Sequence, residues 1–223
     1  MALSTYPNLT LKVVKWPVAC VMIYLLPGVV VSLFELTKIV ATSPQPLVYF
    51  GAGMAGYLVA WQVIFKRRFM GSFFSTFEHE LTHALFAWMT LHKVTGLKAT
   101  WSQGGEMSYR GQGNWLLLIG PYWFPTLCVP FIIMSGLGRF DGAHWVAVTL
   151  GATLAYHITS TIRETHGQQT DLQRTGFLFA WAFLPSANLL SIGFIVAYAH
   201  SGLSAGMAFL SMSWQASQSL FGL

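Results

Sequence analysis

The feature that most constrains the fold is a series of six apolar runs, each about as long as a helix that crosses a membrane. A hydrocarbon core of about 30 Å needs roughly 20 helical residues. The runs cover residues 17–37, 46–65, 71–92, 114–136, 143–162 and 175–199. The sequence therefore predicts an all-α polytopic membrane protein with about six transmembrane helices, folded as a single integral membrane domain over residues 1–223.

The composition excludes several other classes of protein. Hydrophobic residues make up 54% of the chain and charged residues only 9%, whereas a soluble domain carries roughly 25% charged residues. The net charge of +5 arises because acidic residues are few. This balance favours contact with anionic lipids over a groove that follows nucleic acid. We therefore expect the lipid bilayer, and no nucleic acid, as a partner.

Loop charges give little information on orientation. In a six-span arrangement the Lys and Arg residues divide six to six between the two sides, and only the cluster Lys66-Arg67-Arg68 favours a cytoplasmic N-terminus. The expected location is multi-pass, in the cytoplasmic (inner) membrane if the source is bacterial. A seventh apolar patch, from Leu203 to Met212, is too short to cross and predicts an interfacial or re-entrant tail.

A polar motif interrupts the third run, which reads Glu78-His79-Glu80-Leu81-Thr82-His83. Residues four apart lie on one face of a helix, so His79 and His83 can direct both imidazoles at one zinc ion. Glu80 lies beside them, where its carboxylate can take a proton from zinc-bound water. Charged groups inside a membrane are costly, and metal coordination would offset that cost.

The residues after this motif resemble the site-2 protease class of intramembrane zinc metalloproteases. In that class the histidine motif is followed by a short β segment with a Gly-Gly and then by a span with a Gly-Pro or Gly-Tyr signature. This chain has Gly104-Gly105 and then Gly120-Pro121-Tyr122. The resemblance implies a membrane-embedded peptidase with Zn²⁺ as cofactor.

The class takes its third zinc ligand from a distant aspartate, usually in a Leu-Asp-Gly sequence that is absent here. Asp171 stands in the expected region, and the resemblance implies that it binds zinc with His79 and His83. Other candidates for the third ligand remain open, namely His157, Glu164 and His166. Gly167 predicts a helix break, and we expect the 163–174 segment to fold back toward the motif.

The stretch 94–113 alternates apolar and polar residues around Gly104-Gly105, which predicts a β-hairpin between the third and fourth spans. One interpretation is a simple linker. The other is an edge strand that holds an unwound substrate extended, because a helix hydrogen-bonded to itself does not present its carbonyls. The substrate-binding residues are not predicted.

Three functions are compatible with this pattern. The leading hypothesis is a zinc endopeptidase that cleaves a membrane-protein substrate, with Glu80 as general base. The second is a metal-ion or proton transporter that uses the intramembrane His and acidic residues. The third is a non-catalytic scaffold that binds no metal. An accessory or gating protein is a further candidate partner.

Overall fold

The computed structural model describes residues 3–65, 71–100, 104–136 and 144–222. These residues are mainly helical, with one antiparallel pair of strands, β1 (Val94–Ala99) and β2 (Gly105–Tyr109). The helices are α1 (Thr5–Thr42), α2 (Val48–Ala60), α3 (Gly71–Met89), α4 (Trp115–Ile119), α5 (Cys128–Gly136), α6 (His144–Glu164), α7 (Thr170–Thr175) and α8 (Phe177–Phe221). The cluster Lys66-Arg67-Arg68, together with Arg139 and Asp141, lies outside the described residues.

Among the described residues, two helices, α1 and α8, are long and apolar enough to cross a membrane by length and composition. The structure does not confirm the count of six spans. Helix α2 ends at Ala60 and continues as a π-helical turn, Trp61–Phe65. The expected span 114–136 is not a continuous helix, because α4 ends at Ile119 and α5 begins only at Cys128. Pro121 and Pro125 lie in this gap; neither can donate a backbone hydrogen bond, and each disfavours a helical residue before it.

Helix α8 is two antiparallel arms joined by a sharp turn. Ser201 and Gly202 have non-helical dihedral angles, and Gly202 has φ of 77°, a conformation that favours glycine. The second arm, residues 203–221, returns along α1, where the Ser217 hydroxyl donates to the Leu25 carbonyl. The predicted tail, Leu203 to Met212, is therefore the first half of a helix about 28 Å long. The second half of this helix is more polar, so the hydropathy of the sequence did not indicate it. In that half Ser213 and Ser217 donate their hydroxyls to carbonyls one turn earlier.

Helices α2 and α6 run parallel. Near the N-terminal ends of both helices, the Tyr49 ring stacks on His144 with centroids 3.9 Å apart. Nearer their C-terminal ends, the Tyr57 hydroxyl lies 3.2 Å from the Thr159 hydroxyl. Helix α3 runs in the same direction as α6, since the Phe74 carbonyl accepts from the Tyr156 hydroxyl and, further along both helices, His79 contacts Glu164. The C-terminal halves of α3 and α6 therefore lie at the same end of the molecule.

The N-terminal part of α1 lies at that end too. The Lys15 ammonium donates to the Thr175 carbonyl at 2.8 Å, and the Trp115 indole N–H donates to the Leu11 carbonyl at 2.7 Å. A buried aromatic cluster of Trp115, Phe179 and Phe183 fills the space between α1, α4 and α8. This cluster supports α4 and α7, the two short helices that flank the motif on α3.

Candidate metal centre

His79 and His83 lie on the same face of α3, one turn apart, as their spacing predicts. Both side chains are buried, and their ring centroids are 4.8 Å apart. Since α3 is an uninterrupted helix from Gly71 to Met89, the backbone fixes the separation of the two imidazoles. The arrangement can present two nitrogen ligands to one metal ion.

The segment after α6 brings a carboxylate to these histidines. Helix α6 ends at Glu164 and α7 begins at Thr170, with Gly167 in the connection between them. Asp171, in the first turn of α7, places Oδ2 3.2 Å from His83 Nε2 and 3.7 Å from His79 Nε2. The contact is possible because the parallel course of α3 and α6 puts the motif beside the end of α6.

Within the described residues, His79, His83 and Asp171 form the group of three side chains that could hold a metal ion. One ligand atom from each of them lies within 4.8 Å of the other two. Two imidazoles and one carboxylate match the ligand set of hydrolytic zinc sites, which keep a fourth position open.

The opposite face of each imidazole is held by an acceptor. His79 Nδ1 lies 2.7 Å from Glu164 Oε2, and His83 Nδ1 lies 2.8 Å from the Leu117 carbonyl oxygen. Because a carboxylate and a carbonyl only accept, each Nδ1 must carry the proton. In the neutral imidazoles the lone pair is then on Nε2, the atom that faces Asp171. Two imidazole nitrogens and a carboxylate oxygen that converge in this way are a suitable ligand set for a metal ion, so these residues fit one.

Glu164, which the sequence left open as a third ligand, lies behind His79 rather than beside Asp171. Its carboxylate accepts hydrogen bonds from the Ser75 hydroxyl, in a short contact, and from the Ser160 hydroxyl at 3.2 Å. These contacts fix the carboxylate against α3 and α6. Glu164 therefore orients His79 in this structure.

The other two candidates for the third ligand lie apart from the cluster. His157 is buried on α6, and its Nε2 has no hydrogen-bond partner among the described residues. His166 is exposed, and its Nδ1 accepts from the Gln168 backbone N–H at 3.3 Å. Gln168 and Gln169 contact His166 rather than Asp171, so they do not orient the Asp171 carboxylate.

Glu80 is half-buried and lies directly under the start of β2. A Cβ atom at Gly105 would lie 2.6 Å from Glu80 Cγ, 3.1 Å from Glu80 Oε1 and 2.5 Å from Thr76 Cγ2. Only glycine lets the strand pass this close to the glutamate side chain. The Gly-Gly pair therefore has a spatial reason here, because its second residue covers the carboxylate next to the histidines.

Comparison with known families agrees with this geometry. The family described as Peptidase M50B-like matches residues 49–220 of the chain. The chain belongs to this family, the site-2 protease family. Neither the search of curated proteins nor that of solved structures returns a match. Membership confirms the resemblance drawn from the motif and implies a metallopeptidase, and with α1 and α8 it points to a membrane protein.

In this M50B-like protein, Tyr122 is a site residue that sequence reasoning quoted only as part of a signature. Its ring stands perpendicular to the His79 ring with centroids 5.3 Å apart, and its side chain is 1% exposed. The hydroxyl is buried and has no hydrogen-bond partner among the described residues. An unpaired buried donor beside the histidine motif is costly and calls for an explanation.

The break between α4 and α5 places Tyr122. The turn Gly120–Tyr122 directs the phenol toward α3, and the Thr126 hydroxyl then lies 2.5 Å from that of Thr82. The Gly-Pro-Tyr sequence was the available signal for this turn. No side-chain pattern could indicate the Leu117 carbonyl, because any residue at that position supplies the same backbone acceptor.

Proposed function

We propose that the protein is an intramembrane zinc endopeptidase that hydrolyses a peptide bond in or near a membrane-spanning segment of its substrate. The observation that carries this proposal is the convergence of His79 Nε2, His83 Nε2 and Asp171 Oδ2 next to Glu80. M50B-like membership supports the same reaction class.

His79, His83 and Asp171 would hold the zinc ion, and Glu164 and the Leu117 carbonyl would fix the two imidazole tautomers. When bound, zinc supplies a lowered pKa for water and polarises the scissile carbonyl. Zinc fits this ligand set because it takes nitrogen and carboxylate ligands in a four-coordinate site.

Glu80 is the proposed general base. It follows His79 directly in the helix, so its carboxylate lies beside the ligands without joining them. In the proposed cycle the carboxylate takes a proton from the attacking water and later delivers it to the leaving amine. The backbone of Gly105 packs against the Glu80 side chain, so the carboxylate has no room to move toward β2.

The Tyr122 hydroxyl is the proposed donor to the oxygen of the scissile carbonyl as charge develops on it. Its position at the His79 ring, without any partner in the described residues, leaves its proton free for this role. Fixed donors aimed at a developing oxyanion make one of the largest contributions to hydrolysis.

The β1–β2 pair is the proposed substrate-holding element, because β2 begins directly against Glu80. A membrane-protein substrate that unwinds could pair with an edge of this sheet and present an extended backbone. We further propose that the chain is multi-pass, with about six crossings, and lies in the inner membrane if bacterial. The bilayer and an accessory or gating protein would be its other partners.

The test is Glu80→Gln in the purified full-length chain. The amide keeps the shape of the side chain but does not take the proton, so we expect full zinc content and no cleavage of a membrane substrate. His79→Ala and His83→Ala should each lose stoichiometric zinc, whereas the remote His144→Ala should keep it.

Near-normal cleavage by Glu80→Gln would contradict the proposal. The transporter hypothesis makes the opposite prediction for this variant. Ion or proton flux across reconstituted vesicles should then survive Glu80→Gln, because transport needs no general base beside the metal.

A further inference from the structure

A polar cavity lies outside the proposed zinc site, at the same end of the molecule. Its volume is about 530 Å³, and it lies between the start of α1, the loop after β2 and the end of α7. Three cationic side chains line it, Lys12 and Lys15 from α1 and Arg174 from α7. Lys12 and Lys15 are three residues apart and so share one face of their helix.

In the described part of the chain, no carboxylate balances these cations. Neither Asp nor Glu is among the described residues that line the cavity, and the nearby Asp171 carboxylate is directed at His79 and His83. Within the described part of the chain, Lys12 and Arg174 take part in no ion pair. Lys15 donates to the Thr175 carbonyl and lies over the Phe179 and Trp16 rings, but among the described residues no carboxylate pairs with it.

A polar group in the cavity wall also lacks a partner. Thr175 lines the cavity and is 2% exposed, and its buried hydroxyl makes no hydrogen bond to any described residue. A buried hydroxyl without a partner costs free energy, which a bound acceptor would relieve. Cations and an unpaired donor together indicate an anion with several acceptor oxygens.

The surroundings on the α1 side are apolar. Leu9 lines the cavity and is 64% exposed, and Val13 and Trp16 on the same helix are 70% and 51% exposed. Trp is typical of the headgroup layer of a bilayer. A ligand that joins a charged group to hydrocarbon therefore suits this surface better than a soluble anion does.

We propose that this cavity binds the phosphate of an anionic phospholipid headgroup. Lys12, Lys15 and Arg174 neutralise the phosphate, the Thr175 hydroxyl donates to one of its oxygens, and the acyl chains follow the exposed apolar residues of α1. Basic pockets between membrane helices are a known way to recognise such headgroups. Since Arg174 and Thr175 follow Asp171 on the same short helix, the bound lipid joins α1 to the helix that carries Asp171.

The test measures binding of phosphatidylglycerol to the purified full-length protein by native mass spectrometry and by the shift in thermal unfolding temperature in nanodiscs. Nanodiscs of phosphatidylcholine alone give the baseline. The variant is Lys12→Gln/Arg174→Gln, which leaves the Lys15 contact with Thr175 intact. Removing two cations should weaken phosphatidylglycerol binding roughly thirtyfold.

The matched control is Lys93→Gln/Lys98→Gln, which removes two exposed cations from the neighbouring hairpin. It should bind phosphatidylglycerol as the parent chain does. Equal loss in both variants would mean a general effect of surface charge, and unchanged binding in Lys12→Gln/Arg174→Gln would place the lipid elsewhere. A thermal shift produced by inorganic phosphate and not by phosphatidylglycerol would overturn the lipid assignment. None of these measurements depends on zinc or on cleavage.

Discussion

His79 Nδ1 lies 2.7 Å from the Glu164 carboxylate, whereas the equivalent nitrogen of His83 donates to the Leu117 backbone carbonyl. The two proposed ligands are therefore oriented by different kinds of acceptor. A charged acceptor at Nδ1 makes Nε2 a more basic metal ligand than a neutral carbonyl does. The acceptor that orients His79 is a side chain and can be removed by mutation, whereas the acceptor that orients His83 is a backbone carbonyl and cannot.

Glu164→Gln and Glu164→Ala should lower zinc affinity by about 10- to 100-fold, with the larger loss in Glu164→Ala. The glutamine still offers a neutral acceptor to His79 Nδ1, while the alanine offers none. The measurement is competition for zinc with a chromophoric chelator. Ser160→Ala should lower zinc affinity less than either variant, because it removes one hydroxyl from the carboxylate and leaves the contact between Glu164 and His79 in place. Unchanged zinc affinity in a folded Glu164→Ala protein would show that Glu164 does not position the ligand.

Gly105→Ala should lower the cleavage rate by about a hundredfold at unchanged zinc content. The new methyl group would overlap Glu80 Cγ and Thr76 Cγ2, so either the carboxylate or the strand must move, and small displacements of a catalytic group are costly. Gly96→Ala on the paired strand is the control, since the nearest atom to its methyl group, Ser108 Cβ, would be 3.9 Å away. Similar activities in the two variants would contradict a close fit between β2 and Glu80.

Tyr122→Phe should reduce the rate of the chemical step by about a hundredfold, the usual effect of losing one oxyanion donor. Its zinc content should not change, because the phenol is not a ligand. Its thermal stability should be equal or higher, because the substitution removes a buried hydroxyl that has no partner in the described residues. Parallel losses of stability and activity would indicate a structural role. Tyr57→Phe is the control, because it removes a tyrosine hydroxyl at a position remote from the site.

Local periodicity was sufficient to predict the part of the site that lies on one helix. The spacing of His79 and His83 determines their relative position, and Gly167 correctly indicated that α6 would not continue to Asp171. The juxtaposition of Asp171 with the histidines depends instead on the parallel packing of α3 and α6, and no window of the sequence contains that information.

The break in the 114–136 run and the length of the helix after Gly202 were not predicted, because hydropathy is an average over side chains. The 114–136 run is apolar throughout, yet its prolines stop the helix and create the turn that carries Tyr122. Residues 203–221 include several serines, yet they form a helix, in which the Ser213 and Ser217 hydroxyls find acceptors in the carbonyls of the preceding turn.

The identity of the third ligand can be tested by metal content. Asp171→Ala should lower zinc affinity by more than about a hundredfold, since even residues that only orient ligands contribute about 10- to 100-fold. His157→Ala should keep its zinc. His157 precedes Glu164 by two helical turns on α6, which places it about 10 Å along the axis from the carboxylate that contacts His79.

The two variants should be compared at equal folded fraction, judged by thermal unfolding, because His157 is buried and its replacement leaves a cavity. Asp171→Asn provides the conservative check: the amide keeps the side-chain volume but loses the charge that faces both Nε2 atoms, so it should bind zinc almost as poorly as the alanine variant. If His157→Ala loses its zinc while Asp171→Ala keeps it, the ligands are three histidines and α7 has no part in the metal site.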